Sequence, residues 1–204
     1  SKIPAAAAVA APTKTTAYAW YVAAMLAAAY LISVMDRYLL GVVLEAVKAD
    51  LNLSDTELGV LQGPSFVILF LLASIPCGRL ADVMNRKVLI AAGLAVWSAA
   101  TAACGLANNF GEFFVARLLV GLGEAALMPA AMSLIAAYFS RDRLSRGVAV
   151  YMAGASLGRA AAFAGGGALF TYFALRGGVF VPLAGELSPW RSVFVASALI
   201  GLVF

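Results

Sequence analysis

Histidine is absent from all 204 residues, which removes the commonest metal ligand and the usual general base near neutral pH. Cysteine occurs twice, as Cys77 and Cys104, each inside an apolar run. Two buried thiols are the plain reading, and a disulfide framework is not. Charge is also scarce. Charged residues make up 12% of the chain, against roughly a quarter in a soluble domain. The first dozen residues do not show the basic start, compact apolar core and cleavage site of a signal peptide. They are alanine-rich, with Pro4 and Pro12, and predict a flexible arm over 1–15 with Lys2 and Lys14 flanking the first span.

What is there is apolar. Hydrophobic residues reach 64% and the mean hydropathy is +0.96, which predicts an all-α, polytopic membrane bundle over 16–204. The net charge of +4 does not suggest nucleic acid, because the basic residues collect at helix ends beside apolar runs. Membrane lipids are the partner that this pattern implies.

Apolar runs at 17–47, 56–80, 87–107, 112–139, 145–175 and 190–204 predict six spans of about 20 residues or more, save the last. Ser54 followed by Glu57 is a capping-box pattern ahead of the second. Pro76 and Pro129 predict kinks in the second and fourth. Arg79, Arg86 and Lys87 lie between spans two and three, and Arg141, Arg143 and Arg146 between four and five. Asp50, Asp55, Glu112 and Glu186 fall on the opposite side. The positive-inside rule then predicts a multi-pass protein of a cell membrane with a cytoplasmic N-terminus. Trp190 and Arg191 read as an interfacial aromatic and a snorkelling arginine, and Trp20, Tyr21 and Tyr138 as interface anchors. From Trp190 inward, about 14 residues cover only about 21 Å, so the sixth span is expected to continue beyond Phe204. Gly121, Gly154 and Gly158 predict close helix packing, as do Gly123 and the Gly165–Gly167 run.

Asp36 and Arg37 in span one, Glu124 in span four and Arg159 in span five fall well inside apolar runs, where ionisable groups face a bundle interior or cavity. Counted by helix rise, Asp36 and Glu124 lie about 17–18 Å from one end of their spans, and Arg159 about 21 Å from the opposite end of its own. All sit near one level. Arg117 is seven residues from Glu124 and shares its helix face. The simplest neutralising scheme pairs Asp36 with an arginine and Glu124 with Arg37 or Arg117. Such charges make either a static packing network or a site where a carboxylate exchanges a proton, Glu124 first and Asp36 second. Burial favours the neutral carboxyl and a nearby guanidinium the charged one. Without a nucleophile, histidine or metal cluster beside them, an enzyme is not indicated.

The turn Gly78-Arg79-Leu80-Ala81-Asp82-Val83-Met84-Asn85-Arg86-Lys87 resembles the signature loop between helices two and three of major facilitator superfamily transporters. Gly78, Asp82, Arg86 and Lys87 match, while Val83 stands where the family has arginine. Arg117 through Ala125 resembles the arginine-and-glycine motif of the fourth helix. Gly154 and Gly158 resemble part of the fifth-helix glycine motif, although Arg159 replaces the family's proline. Asp36-Arg37, Gly123-Glu124-Ala125 and Trp190-Arg191 are most similar to the Spinster-like branch. The resemblance implies a twelve-helix fold whose first half is a 3+3 inverted repeat, with this chain as that half and a second six-helix half as its partner. It also implies a proton-coupled transporter without cofactor, moving a small amphipathic or anionic solute such as a lysolipid. In it the loop at Gly78, Asp82, Arg86 and Lys87 acts as a gate. Asp82 pairs with a basic residue or caps a neighbouring helix. Arg37 and Arg159 meet the substrate headgroup, and Tyr38 lies at the cavity edge or packs on a neighbouring helix. Two other readings stay open: a non-transporting membrane subunit of a larger complex, and a half-transporter that dimerises.

Overall fold

The computed structural model describes residues 15–181 and 185–204. The arm expected over 1–15 lies outside them except for Thr15. Ten α-helices, a π-helical turn and a two-stranded hairpin form among the described residues: α1 (Ala17–Val42), α2 (Leu44–Leu51), α3 (Asp55–Gln62), α4 (Pro64–Val83), α5 (Arg86–Leu106), α6 (Phe110–Glu124), α7 (Leu127–Tyr138), α8 (Leu144–Ala161), the π turn (Ala162–Gly166), α9 (Gly167–Arg176), β1 (Val179–Val181), β2 (Gly185–Leu187) and α10 (Pro189–Val203). Five stretches are long and apolar enough to cross a membrane, namely Ala17–Val42, Asp55–Val83, Arg86–Leu106, Phe110–Tyr138 and Leu144–Arg176. The apolar α10 is shorter. The result is a bundle of apolar helices.

Local chemistry sets the interruptions. The Ser54 side chain accepts from the Glu57 N–H while the Glu57 carboxylate reaches back to the Ser54 N–H, a complete capping box at the start of α3. The second span breaks at Gly63, ahead of Pro64, while Pro76 is carried inside a continuous α4. Pro64 opens α4 at a first-turn position, where its missing N–H costs nothing. In the fourth span α6 ends at Glu124 and α7 begins at Leu127. Pro129 cannot donate to the Ala125 carbonyl four residues back, so the break falls there and not at the proline itself. The hairpin pairs Val179 with Leu187 and Val181 with Gly185; short strands of this size carry little periodic signal, and the sequence reading had none here.

Small residues bring the helices together. A Cβ at Gly158 would sit 2.6 Å from the Leu31 carbonyl oxygen, and one at Gly154 would strike the Ala27 carbonyl, so α8 lies backbone against backbone on α1. Gly123 and Gly93 do the same between α6 and α5, each aimed at the other's carbonyl at 2.8 and 2.7 Å. Gly121 brings α6 against the Phe66 carbonyl on α4. The Gly165–Gly167 run departs from the packing expectation. A Cβ at Gly166 would meet Leu39, but one at Gly165 or Gly167 would meet nothing within 4 Å.

Two polar ties mark opposite ends of the bundle. Thr15 and Ser140 share a hydroxyl bond of 2.7 Å at the end carrying the basic connections. At the other, Asp50 accepts from the Trp190 indole at 2.9 Å and from Arg191 Nε at 3.2 Å, and Arg191 also reaches the Gly105 carbonyl at 3.5 Å. Trp190 is therefore packed against protein, at 1% exposure. Satisfying its N–H on a carboxylate lets the ring pack between Phe113 and Phe194. Trp20 likewise packs edge-on to Phe139 at 5.0 Å, whereas Tyr21 is exposed.

Replacing Gly158 with valine is expected to wedge α1 from α8 and destabilise the bundle by about 1–3 kcal/mol. Gly167→Ala, in open space, should leave it unchanged. Thermal unfolding of the purified full-length protein in detergent measures both.

Candidate functional site

Polar side chains converge where α1, α5, α6 and α10 meet. Asp36, Arg117 and Glu124 are 1%, 1% and 2% exposed, deep within helices otherwise lined by apolar residues. Their positions follow from the helices that carry them. Asp36 and Arg37 are neighbours on α1 and so point about 100° apart: Asp36 turns toward α5 and α10, and Arg37 toward α6.

Arg37 Nη2 donates to Glu124 Oε2 at 2.5 Å, an ion pair whose carboxylate is fully buried and whose guanidinium is partly exposed. Ser33, one turn before Arg37 on α1, donates to the same oxygen at 2.7 Å. Glu124 Oε1 is buried and meets no donor among the described residues. The carboxylate is thus held by one oxygen and bare at the other. The Arg37 guanidinium also lies over the Phe66 ring at 4.4 Å and the Phe70 ring at 5.5 Å, contacts that stabilise a partly desolvated cation. Glu124 closes α6 just ahead of the break set by Pro129, so its side chain is fixed on a helix while the chain beyond it changes course.

Asp36 departs from the expected pairing with an arginine. It accepts hydrogen bonds from the hydroxyls of Ser197 and, at 3.5 Å, Thr101. The faces that α10 and α5 turn toward it present hydroxyls, and Arg37 is committed to α6. Arg117 departs as well. It is buried, yet its Nε and Nη2 have no acceptor among the described residues, and its guanidinium lies 5.8 Å from the Phe66 ring. Seven residues place it about 10 Å along the axis from Glu124, and the oxygen that Glu124 commits is already taken by Arg37. Arg159 stands outside the buried group. Gly158 faces α1, so the next residue turns to the open side, where Arg159 Nη2 donates to Ser156 at 3.3 Å.

Tyr38 lines a cavity of about 410 Å³ with Arg37, Gly41, Gln62, Phe66 and Phe163, its ring 6.1 Å from that of Phe163. At the basic end, Asp82 is exposed and makes no ion pair among the described residues. Asn85, not Asp82, caps α5, accepting from the Lys87 N–H at 3.0 Å, because it stands at the N-cap position that an amide side chain fills well. Arg86 Nε reaches the Ala81 carbonyl at 3.4 Å, and Gly78 has open space beside it. In the second basic connection, the Ser140 hydroxyl holds the Asp142 carboxyl below its ordinary range, with Arg143 adding to the effect.

Sequence reasoning missed the hydroxyls at Ser33, Thr101 and Ser197, and the roles of Asp50 and Gln62. The signal for Ser33 was its spacing, four residues before Arg37 on one helix face. For Ser197 it was a lone polar residue in an apolar run.

Known proteins resemble the chain over most of its length. The family model described as Major Facilitator Superfamily matches residues 26–204. An MFS-type efflux pump of Mycolicibacterium smegmatis is 33% identical over 172 residues, covering 81% of this chain and 40% of the pump. Protein spinster of Drosophila melanogaster is 32% identical over 132 residues, 65% of this chain and 22% of that protein. A crystal structure of a bacterial homologue of the human lysosomal transporter Spinster, inward-facing and occupied, superposes with a TM-score of 0.85 at 29% identity, over 93% of this chain and 43% of the other. The chain thus spans less than half the length of the relatives it matches.

Removing one member of the ion pair strands the other in an apolar interior. Arg37→Leu is expected to destabilise the bundle by about 3 kcal/mol, and adding Glu124→Leu should recover most of that loss. A double-mutant cycle of thermal stability reads the coupling.

Proposed function

The chain belongs to the Major Facilitator Superfamily, and we propose that it forms the first six-helix bundle of a proton-coupled, alternating-access secondary transporter. The solute is a small amphipathic or anionic molecule, with a lysolipid the leading candidate. Similarity to Spinster proteins and to an efflux pump supports the class. The observation that carries the coupling reading is the lopsided Glu124 carboxylate: Oε2 accepts from Ser33 and Arg37, while Oε1 meets no donor among the described residues.

A proton arriving at Oε1 neutralises the carboxyl and removes the Coulombic part of its hold on Arg37. The guanidinium then turns to an anionic substrate, and loss of the proton lets Glu124 reclaim it. Asp36, tied to neutral hydroxyls, is the second proton site. Arg117, a buried cation near both, sets the local field that each carboxylate feels. Arg37 and Tyr38 line the substrate cavity. Arg159, on the open side of α8, meets the substrate across the interface with a second six-helix bundle. The loop with Gly78, Asp82, Arg86 and Lys87 serves as the gate, its exposed Asp82 reaching a partner on that second bundle. The collection of Arg79, Arg86, Lys87, Arg141, Arg143 and Arg146 at one end supports an orientation with that end cytoplasmic, and the likeness to an efflux pump of Mycolicibacterium smegmatis supports a bacterial inner membrane.

In proteoliposomes of the full-length protein with an imposed pH gradient, Glu124→Gln should abolish proton-driven flux while eluting as a folded particle. Asp36→Asn should reduce it less. Undiminished pH-dependent flux in Glu124→Gln would remove the coupling assignment.

A further inference from the structure

The Asp36 carboxylate is held differently from that of Glu124, by neutral hydroxyls in a seam between α1, α5 and α10. We propose that Ser197 of α10, with Thr101 of α5 in support, is the positioning residue of Asp36: its hydroxyl donates to the ionised carboxylate and accepts from the protonated one, so that Asp36 exchanges a proton by hydroxyl rotation alone. The inference rests on the proton-coupled reading and deepens it by naming what governs its second proton site.

The seam is built by small residues at two levels. A Cβ at Gly105 would lie 2.8 Å from the Arg191 carbonyl oxygen and 3.0 Å from Phe194 Cβ, and one at Gly201 would strike the Ser98 hydroxyl. Between these two close contacts of α5 with α10 fall Thr101 and Ser197, both buried. Ser197 donates to Asp36 Oδ1 and Thr101, at 3.5 Å, to Oδ2. Each carboxylate oxygen thus has one neutral donor.

The ionisable groups around Asp36 stand on other faces. On α10 the charged residue is Arg191, which is spent on Asp50 and the Gly105 carbonyl. On α5 it is the Cys104 thiol, and on α6 Glu124 and Arg117, which act on Asp36 through space. Arg37, next on α1, is engaged by Glu124. On α8, Tyr151 stacks on Tyr30 and Arg159 donates to Ser156, while Tyr138 of α7 meets Tyr18 near the start of α1.

A guanidinium only donates, so a proton on Glu124 must loosen Arg37. A hydroxyl both donates and accepts. When a proton passes from hydronium to Asp36 Oδ1, water is released and the new O–H donates to Ser197 Oγ. The Ser197 hydroxyl hydrogen then turns to the Val193 carbonyl, one turn back on α10. The chain makes that bond elsewhere: Ser65, Ser74 and Ser192 donate to the carbonyls of Leu61, Phe70 and Ser188. No other covalent bond changes. Ser98 provides a contrast within the seam. It lies one turn from Thr101 on α5 and is fully buried, yet its hydroxyl meets no partner among the described residues.

The test is an infrared titration of the full-length protein in lipid bilayers, read at the C=O stretch of protonated carboxyls. Glu124→Gln serves as the background, and the band lost on adding Asp36→Asn belongs to Asp36. On that background Ser197→Ala should raise the midpoint of the Asp36 band by about one pH unit, the size of one hydrogen bond to a charged group, because the ionised form loses its donor. Thr101→Val, at the longer bond, should raise it less. Ser197→Cys, a weaker donor of similar size, should fall between Ser197→Ala and the background. Ser98→Ala should leave it in place. An unmoved midpoint in Ser197→Ala, or an equal rise in Ser98→Ala, overturns the proposal. So does the absence of any Asp36 band that changes while the protein stays folded, a result that leaves the flux test of Glu124 untouched. The expected shifts together with undiminished flux in Glu124→Gln support the hydroxyl role and remove only the coupling through Glu124.

Discussion

A carboxylate and a guanidinium inside an apolar bundle are tolerable only in contact, and the Arg37–Glu124 pair is the constraint around which the rest is arranged. Taking either charge out of water costs several kcal/mol, and only close mutual approach with further hydrogen bonds offsets it. That demand fixes the rotation of α1, which must turn Arg37 and Ser33 toward α6 together. It also fixes the approach of α6, which Gly121 and Gly123 allow by giving up their side chains against α4 and α5. Apolar helices in an apolar solvent have little hydrophobic reason to meet, so close backbone contact and polar glue hold them.

The same rotation of α1 delivers Asp36 to a different neighbourhood. On one side of the helix a charge meets a charge; on the other it meets two hydroxyls. Two carboxylates at similar depth are thereby placed in unlike surroundings, and groups made unlike in this way can serve unlike roles. Arg117 is buried as well, its Nε and Nη2 without an acceptor among the described residues.

Much of this architecture was legible in the chain. Span positions follow from long apolar runs, and the capping box at Ser54 and Glu57 reads directly from spacing. The burial of Asp36 and Glu124 follows from their place inside apolar runs, and the separate facing of Asp36 and Arg37 from helix geometry. What was not legible depends on how helices are turned against one another. Asp36 found serine and threonine instead of arginine because residues 65 and 161 positions away rotate into reach. Arg159 fell outside the group because its neighbour Gly158 took the α1 contact. Pro64 and Pro129 set breaks whose sites depend on which carbonyl lacks a donor, a detail that hydropathy does not register. Trp190 read as an interfacial aromatic from its neighbours in sequence, which do not show that Asp50, near the end of α2, accepts its indole N–H.

That small knot at Asp50 bears on how the bundle is held together. One carboxylate ties the outgoing end of α1's continuation to the start of α10, and Arg191 extends the tie to the end of α5. The opposite rim is joined by a hydroxyl bond between Thr15 and Ser140. The bundle is therefore tied at both mouths but by unlike groups: a carboxylate shared by an indole and a guanidinium at one, and the Thr15 hydroxyl bound to the Ser140 hydroxyl and N–H at the other.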